Sequence, residues 1–247
     1  MRKRLAAIAI CFACIAAGIA PGFAQNCPVS HELVATFAPL PRVHADVTKN
    51  RKLNILVVSA APTQTGAAAG LKSYPYFLEL ALKERLKKTH VTVFAHSIPR
   101  KPIDDMVAAL PQLLTEQKPD LVIWQTGTVE AIRAMDPDVY GDKLLAGVEL
   151  ILAAKSDVIL MNQQYSPRTD YMFDGAPYTD NMRYVAQSKD IALFNRYEIM
   201  KYWAETGIFD LSAMRNDGVY EKLHRCLGGL LSDFIVRAGS LPGSLEQ

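Results

Sequence analysis

Serine, aspartate and histidine side chains at two places in the chain have the chemistry of a hydrolytic triad. Ser59 ends an apolar segment, and Asp217 and His224 lie seven residues apart near the C-terminus. In such a triad the serine attacks an acyl carbon, the imidazole accepts its proton and the carboxylate orients the imidazole, whatever their order along the chain. Ser59, His224 and Asp217 are therefore candidate catalytic residues of an acyl hydrolase.

The segments that must position these residues alternate between strand and helix patterns. Short apolar runs predict strands at 52–59, 91–95, 121–125, 157–162 and 191–194. Apolar residues at helical spacing predict helices at 74–88, 103–116, 143–154, 181–188, 196–206 and 220–238. This alternation favours a parallel sheet with helices on both faces. Ligands of such sheets bind beyond the carboxyl ends of the strands, in the loops at 59–73, 96–103, 125–141, 162–181 and 210–224.

The N-terminus has the pattern of a cleavable export signal. Arg2, Lys3 and Arg4 precede an apolar run that ends near Ala20, and small residues follow at positions 22 and 24. The run is shorter than the roughly 20 residues that a spanning helix needs. We therefore predict that residues 1–24 are a signal peptide, that no transmembrane anchor remains after cleavage, and that the protein is periplasmic or secreted.

Composition and charge limit the classes of partner. Cleavage after residue 24 would leave 24 basic and 25 acidic residues, so the basic character belongs to the signal, and a nucleic-acid partner is not expected. Residues 25–51 carry little periodicity and predict an N-terminal leader that lies on one domain at 52–247. The two cysteines of that mature chain, Cys27 and Cys226, either form a disulfide in an oxidising compartment or are unrelated.

Six segments together resemble the SGNH/GDSL hydrolase family, in its extracytoplasmic bacterial branch. They are residues 55–59, Ser73-Tyr74-Pro75, KPDLVIWQTGT at 118–128, VILMNQQYSPR at 158–168, LFNRYEIMKYW at 193–203, and Asp217-Gly218 with Arg225-Cys226-Leu227. The resemblance implies a flavodoxin-like three-layer α/β/α sandwich that hydrolyses esters or removes acyl groups, often from carbohydrates or lipids. It implies no metal and no organic cofactor.

The four motifs that carry the chemistry of that family depart from its pattern here. The nucleophile position falls on Ala60 or Ala61, with Ser59 adjacent to it. The segment at 96–101 has no glycine for the oxyanion hole, and Val129 stands where the family has an oxyanion-binding asparagine. Asp217 is in place, but Tyr220 occupies the histidine position. Loss of the hydroxyl, the donors and the base together would remove acyl-enzyme chemistry.

Three functions follow from these observations. The first is a catalytically silent relative that binds a glycan, a lipid, an acyl ester or a sibling enzyme without hydrolysing it. The second is an active serine esterase that uses Ser59, His224 and Asp217 as a shifted triad. The third is a flavodoxin-like anion binder, because residues 63–67 (TQTGA) partly match a flavin phosphate loop. The long polar and aromatic segment at 165–182 would suit a sugar or acyl ligand.

Overall fold

A computed structural model describes residues 27–36, 38–60, 71–213 and 217–242, with the backbone alone for Ala213 and Asp217. Its strands are β1 (Lys52–Ser59), β2 (His90–Ser97), β3 (Leu121–Gln125), β4 (Asp157–Met161) and β5 (Ala192–Phe194). Its α-helices are α1 (Pro41–Ala45), α2 (Tyr74–Arg85), α3 (Ile103–Gln117), α4 (Thr128–Ile132), α5 (Pro137–Ala153), α6 (Pro167–Met172), α7 (Ala176–Ser188), α8 (Arg196–Glu205) and α9 (Asp217–Ala238).

The five strands form one parallel sheet in the order β2-β1-β3-β4-β5. Strand β1 shows why both faces are covered, since its side chains alternate between two apolar clusters. Ile55 and Val57 face the cluster that includes residues of α2 and α9, whereas Leu56 and Val58 face the cluster that includes residues of α3 and α5. Every residue of β3 and β4 is buried. The predicted three-layer α/β/α sandwich is confirmed.

The N-terminal segment packs into this core more deeply than its sequence predicted. Leu40, Val43 and Val47 are buried in the cluster on the α9 face. The backbone of Leu40 donates to the carbonyl of Ala238 at the end of α9. Of the two alternatives for Cys27 and Cys226, the structure shows the disulfide, with a Cα–Cα distance of 5.5 Å. The segment before β1 is thus tied to the last helix at two points.

The helices differ from their predicted positions in several places, since α7 begins at Ala176 and not at residue 181, and α9 begins at Asp217 and not at residue 220. Helix α5 begins at Pro137 and not at residue 143, because Asp136 caps it by accepting hydrogen bonds from the backbone of Asp138 and Val139. The short helices α4 and α6 were not predicted, since neither is long enough to show a period. In the described residues, no helix is sufficiently long and apolar to cross a bilayer.

Candidate functional site

Buried polar side chains gather at the carboxyl edge of the sheet. They are Ser59, Ser73, Gln125, Thr126, Asn162, Gln163, Arg196 and His224. They come from the ends of β1, β3 and β4, from the residue before α2, from the start of α8 and from α9. Burying so many polar groups requires partners for each of them. This cluster is the candidate site, at the place that parallel sheets offer to ligands.

Tyr74 connects His224 with the end of β3. Its backbone N–H donates to Nδ1 of His224 at 3.2 Å. Its ring stacks on the imidazole with centroids 6.2 Å apart, and its hydroxyl donates to Oε1 of Gln125 at 3.1 Å. Gln125 is the register partner of Ser59 in the sheet. The Tyr74 side chain therefore fills the space that runs from His224 to the strand neighbour of Ser59.

These contacts determine the protonation of His224. Because Nδ1 accepts a hydrogen bond, the neutral imidazole carries its proton on Nε2. Burial, together with the nearby Arg196 cation, lowers the pKa of His224 to about 3, so the ring is neutral at physiological pH. A triad histidine has the opposite arrangement, with Nδ1–H donating to a carboxylate and Nε2 free to accept a proton. With its proton on Nε2, the neutral ring can donate a hydrogen bond through that nitrogen but cannot accept a proton there.

Ser59 and His224 both belong to the buried polar cluster, and the backbone of Asp217 begins α9. Ser59 is fully buried, and its carbonyl accepts the backbone N–H of Ile98. Asp217 begins α9 and His224 lies seven residues further along the same helix, a rise of about 10 Å. Ala60 follows β1 and lines a pocket. Ala61, residues 63–67, the side chain of Asp217 and the signal sequence at 1–24 lie outside the described residues.

Val129 and Tyr220 stand at the positions where the family has its oxyanion-binding asparagine and its histidine. Val129 lies in the first turn of α4 and presents no side-chain donor, and Tyr220 packs against His224 with ring centroids 4.1 Å apart. Gly127 makes the turn before α4 with φ of 98°, a conformation that favours glycine. The backbone N–H of Gly127 donates to Oε2 of the buried Glu130 at 2.9 Å. Burial raises the pKa of that carboxyl, so Glu130 supports the turn from inside the protein.

Arg196 is the main residue of the site that the sequence analysis missed. It begins α8 directly after β5, where the connection is too short to have been counted among the ligand-binding loops. Its side chain is almost completely buried, with 2% exposed. Nη2 donates to Oε1 of Gln164 at 2.7 Å, and Nε has no hydrogen-bond partner. An arginine at the carboxyl end of a strand is the signal that could have identified it.

The guanidinium of Arg196 is charged and has no described counter-ion. Among the described side chains, no Asp or Glu oxygen lies within 4 Å of it. Burial lowers the pKa of Arg196 to about 10, which still leaves it protonated at neutral pH. Tyr74 and Tyr220, which lie near it, are uncharged at that pH, since burial raises the pKa of both hydroxyls.

An inner pocket of about 260 Å³ opens beside Arg196. Its lining comes from the carboxyl ends of β1, β3 and β4 and from the segments that follow them. The lining residues are Ala60, Arg100, Gln125, Thr126, Thr128, Val129, Ile132, Gln164, Thr169 and Arg196. This inner pocket combines hydroxyl, amide and guanidinium groups with a small apolar wall, so it can bind a small ligand that carries polar oxygens.

A larger outer cavity of about 640 Å³ lies on the other side of α6. Thr169 of this helix lines the inner pocket, whereas Asp170 and Tyr171 line the outer cavity. The remaining lining includes carboxylates and Phe173 from the segment at 165–182. Tyr171 is 94% exposed, and Asp170 accepts a hydrogen bond from the hydroxyl of Tyr197. Within the described residues, no group of three or more His, Cys, Asp or Glu could hold a metal ion.

Comparison with known proteins places this geometry in a family. The non-GDSL lipase-like family matches residues 26–240. An arylesterase from Vibrio mimicus is 30% identical over 151 residues, which make up 61% of this chain and 71% of that protein. TesA shares the fold with a TM-score of 0.55, at 22% identity over 72% of this chain and 97% of its own. Axe2, an acetylxylan esterase from Geobacillus stearothermophilus, has a TM-score of 0.58 at 16% identity, over 76% of this chain and 94% of its own. The chain therefore belongs to the non-GDSL lipase-like family and has the SGNH/GDSL-like hydrolase fold that its motifs predicted.

Proposed function

We propose that this protein is an exported SGNH-fold protein that binds a ligand in its cleft and does not hydrolyse it. The observation that carries the proposal is the hydrogen bond from the Tyr74 backbone to Nδ1 of His224. It places the imidazole proton on Nε2, which removes the base that a serine nucleophile needs. A base with a pKa of about 3 is also far from the value near 7 that general-base catalysis favours.

The surroundings of His224 disfavour its protonation further. A triad stabilises the imidazolium with a carboxylate, whereas the cation of Arg196 opposes it here. Val129 also removes a side-chain donor from the oxyanion hole, and such a donor is worth about 2.7–4 kcal/mol of transition-state stabilisation. Loss of the base and loss of the donor are independent, so restoring one of them would not restore turnover.

A glycan is the ligand that the outer cavity suits best. Tyr171 and Phe173 provide apolar ring surface, and Asp170 and Asp174 provide acceptors for sugar hydroxyls. Export is supported by the N-terminal pattern and by the disulfide between Cys27 and Cys226, because disulfides persist in oxidising compartments. A lipid or a sibling enzyme would use the same cleft, and binding of either one in place of a glycan is the alternative result.

The first experiment measures turnover of the purified protein on short-chain p-nitrophenyl esters, beside the variants Ser59→Ala and His224→Ala. We expect no turnover above the buffer rate in any of the three samples. A fluorophosphonate probe followed by mass spectrometry checks for a reactive serine independently of the chosen ester. Turnover or labelling of the wild type that disappears in Ser59→Ala would refute the proposal.

The second experiment tests the outer cavity with a matched pair of variants. Tyr171 lines the cavity, whereas Tyr184 is also exposed, at 69%, and lies on α7 away from it. Binding to an array of plant and bacterial polysaccharides should be lost in Tyr171→Ala and kept in Tyr184→Ala. Equal binding by both variants would remove the outer cavity as the glycan site.

Ester hydrolysis is the second candidate function, because the 30% identical relative is an arylesterase. In that case Ser59 would be the nucleophile, with His224 as the base and Asp217 as its orienting carboxylate. Such a mechanism requires the imidazole to rotate away from the backbone of Tyr74, so that Nε2 can accept a proton. Turnover that is lost in both Ser59→Ala and His224→Ala would support it.

A further inference from the structure

The inner pocket presents positive charge without negative charge. Two of its ten lining residues, Arg196 and Arg100, are cations, and none is an aspartate or glutamate. The Arg196 guanidinium is buried, and its Nε is left without a partner. A buried arginine of purely structural use is normally paired with a carboxylate, because an unpaired buried charge is costly. This arrangement is that of a binding site whose counter-ion is supplied by a ligand.

The hydrogen-bonding groups around the guanidinium also suit an oxyanion. Gln164 accepts one hydrogen bond from Nη2 and thereby orients the planar group, and Nε is buried without a described partner. Thr126, Thr128 and Thr169 add hydroxyls to the lining. An arginine binds a carboxylate through two parallel N–H donors, which a planar ligand group matches well.

The rest of the lining limits the size and charge of the ligand. Ala60, Val129 and Ile132 form an apolar wall, and the volume of about 260 Å³ admits only a small molecule. One buried guanidinium neutralises a single negative charge, and Arg100 lies at the exposed rim. A small carboxylic acid with a short apolar body meets both conditions, whereas a phosphate dianion leaves a charge uncompensated in the buried part.

We propose that the inner pocket binds a small organic carboxylate, with Arg196 as its counter-ion. The inference deepens the proposed function, because it names the chemistry of a ligand for the same cleft. The two proposals can fail separately in experiment. A carboxylate can bind to a silent protein, and it can equally bind to an active esterase as the acid product. The turnover assay therefore tests catalysis, and anion binding tests this proposal.

The test is calorimetric titration of the whole exported protein with sodium acetate and sodium butyrate, at constant ionic strength. Sodium phosphate, sulfate and chloride are the comparison anions. We expect butyrate to bind, and we expect Arg196→Met to weaken it by roughly ten- to a hundredfold, the range for charged hydrogen bonds. Arg225→Met is the matched control, because Arg225 lines neither cavity and pairs with Glu221 on the surface. Its affinity for butyrate should equal that of the wild type.

A second variant keeps the test independent of how well Arg196→Met folds. Gln164→Glu has nearly the same shape and places a carboxylate 2.7 Å from Nη2, so the protein would neutralise its own cation. Butyrate binding should be lost in this variant although Arg196 is present. The proposal is overturned if the wild type binds neither carboxylate, if it prefers phosphate or sulfate, or if both variants bind butyrate as the wild type does.

Discussion

The stability of the Arg196→Met variant tests whether the buried guanidinium is an uncompensated charge. Burial lowers the pKa of Arg196 from 12.5 to about 10. A basic group whose pKa is lowered in the folded state destabilises that state at every pH below the folded pKa, and the penalty disappears as the pH rises through it. At 1.36 kcal/mol per pKa unit, the charge costs about 3 kcal/mol of the free energy of unfolding at pH 7.

Methionine removes the charge and keeps an unbranched apolar side chain. The substitution also removes the hydrogen bond from Nη2 to Gln164, which contributes about 1–2 kcal/mol. We therefore expect the free energy of unfolding of the variant to exceed that of the wild type by about 1–2 kcal/mol. Urea unfolding at pH 7, followed by the fluorescence of the buried Trp124 and Trp203, measures this difference.

Arg183→Met is the control for stability, because its guanidinium pairs with Asp180 on the surface and its loss should change stability by less than about 0.5 kcal/mol. A loss of more than about 1 kcal/mol in Arg196→Met would refute the reasoning. It would mean that the guanidinium has a stabilising partner and that its role is structural. A gain in stability together with a loss of butyrate binding is the combination expected of a residue kept for function.

Three further predictions concern the scaffold. Burial raises the pKa of Asp157 from 3.8 to about 6. The folded protein therefore binds more protons than the unfolded chain in the pH window between these two values. Stability should fall by up to about 3 kcal/mol as the pH rises through the window, and urea unfolding of Asp157→Asn should show a smaller fall. Replacing Cys27 and Cys226 by serine opens a loop of 199 residues and should cost about 5 kcal/mol in the loop-entropy model, and an unchanged urea midpoint would contradict this. Gly228→Ala would place a Cβ 2.7 Å from the backbone nitrogen of Leu78, so helices α2 and α9 would have to separate. Thermal unfolding should show a loss of about 1–3 kcal/mol, and an equal melting temperature would disprove the close approach.

The strands were the most predictable part of the fold. β1 and β3 were predicted with the bounds that the structure shows, because strands buried on both faces are continuous apolar runs. Helix α5 was predicted to start six residues late, since Asp136 and Pro137 signal a helix start through capping and not through apolar spacing. Capping chemistry is local, so this part of the error could have been avoided.

The position of the candidate site could be predicted from the sequence, but the full set of side chains that form it could not. The rule that ligands bind beyond the carboxyl ends of parallel strands pointed to the ends of β1, β3 and β4, where the buried polar cluster and the inner pocket lie. The family motifs also identified Val129 and Tyr220 as departures without any coordinates. Arg196 was missed because its burial depends on how α8 packs beside β5, and an arginine in a sequence is by default expected on the surface.

The sequence by itself determined the order of strands and helices, the resemblance to a family and the side chains that stand at its catalytic positions. These follow from periodicity and residue type, which are properties of short segments. Only the tertiary structure decided what His224 and Arg196 can do. The tautomer of His224 depends on a backbone N–H that is 150 residues away in the chain. The lack of a counter-ion for Arg196 among the described side chains depends equally on which residues the folded sheet brings to its edge, and no local pattern records such long-range neighbours.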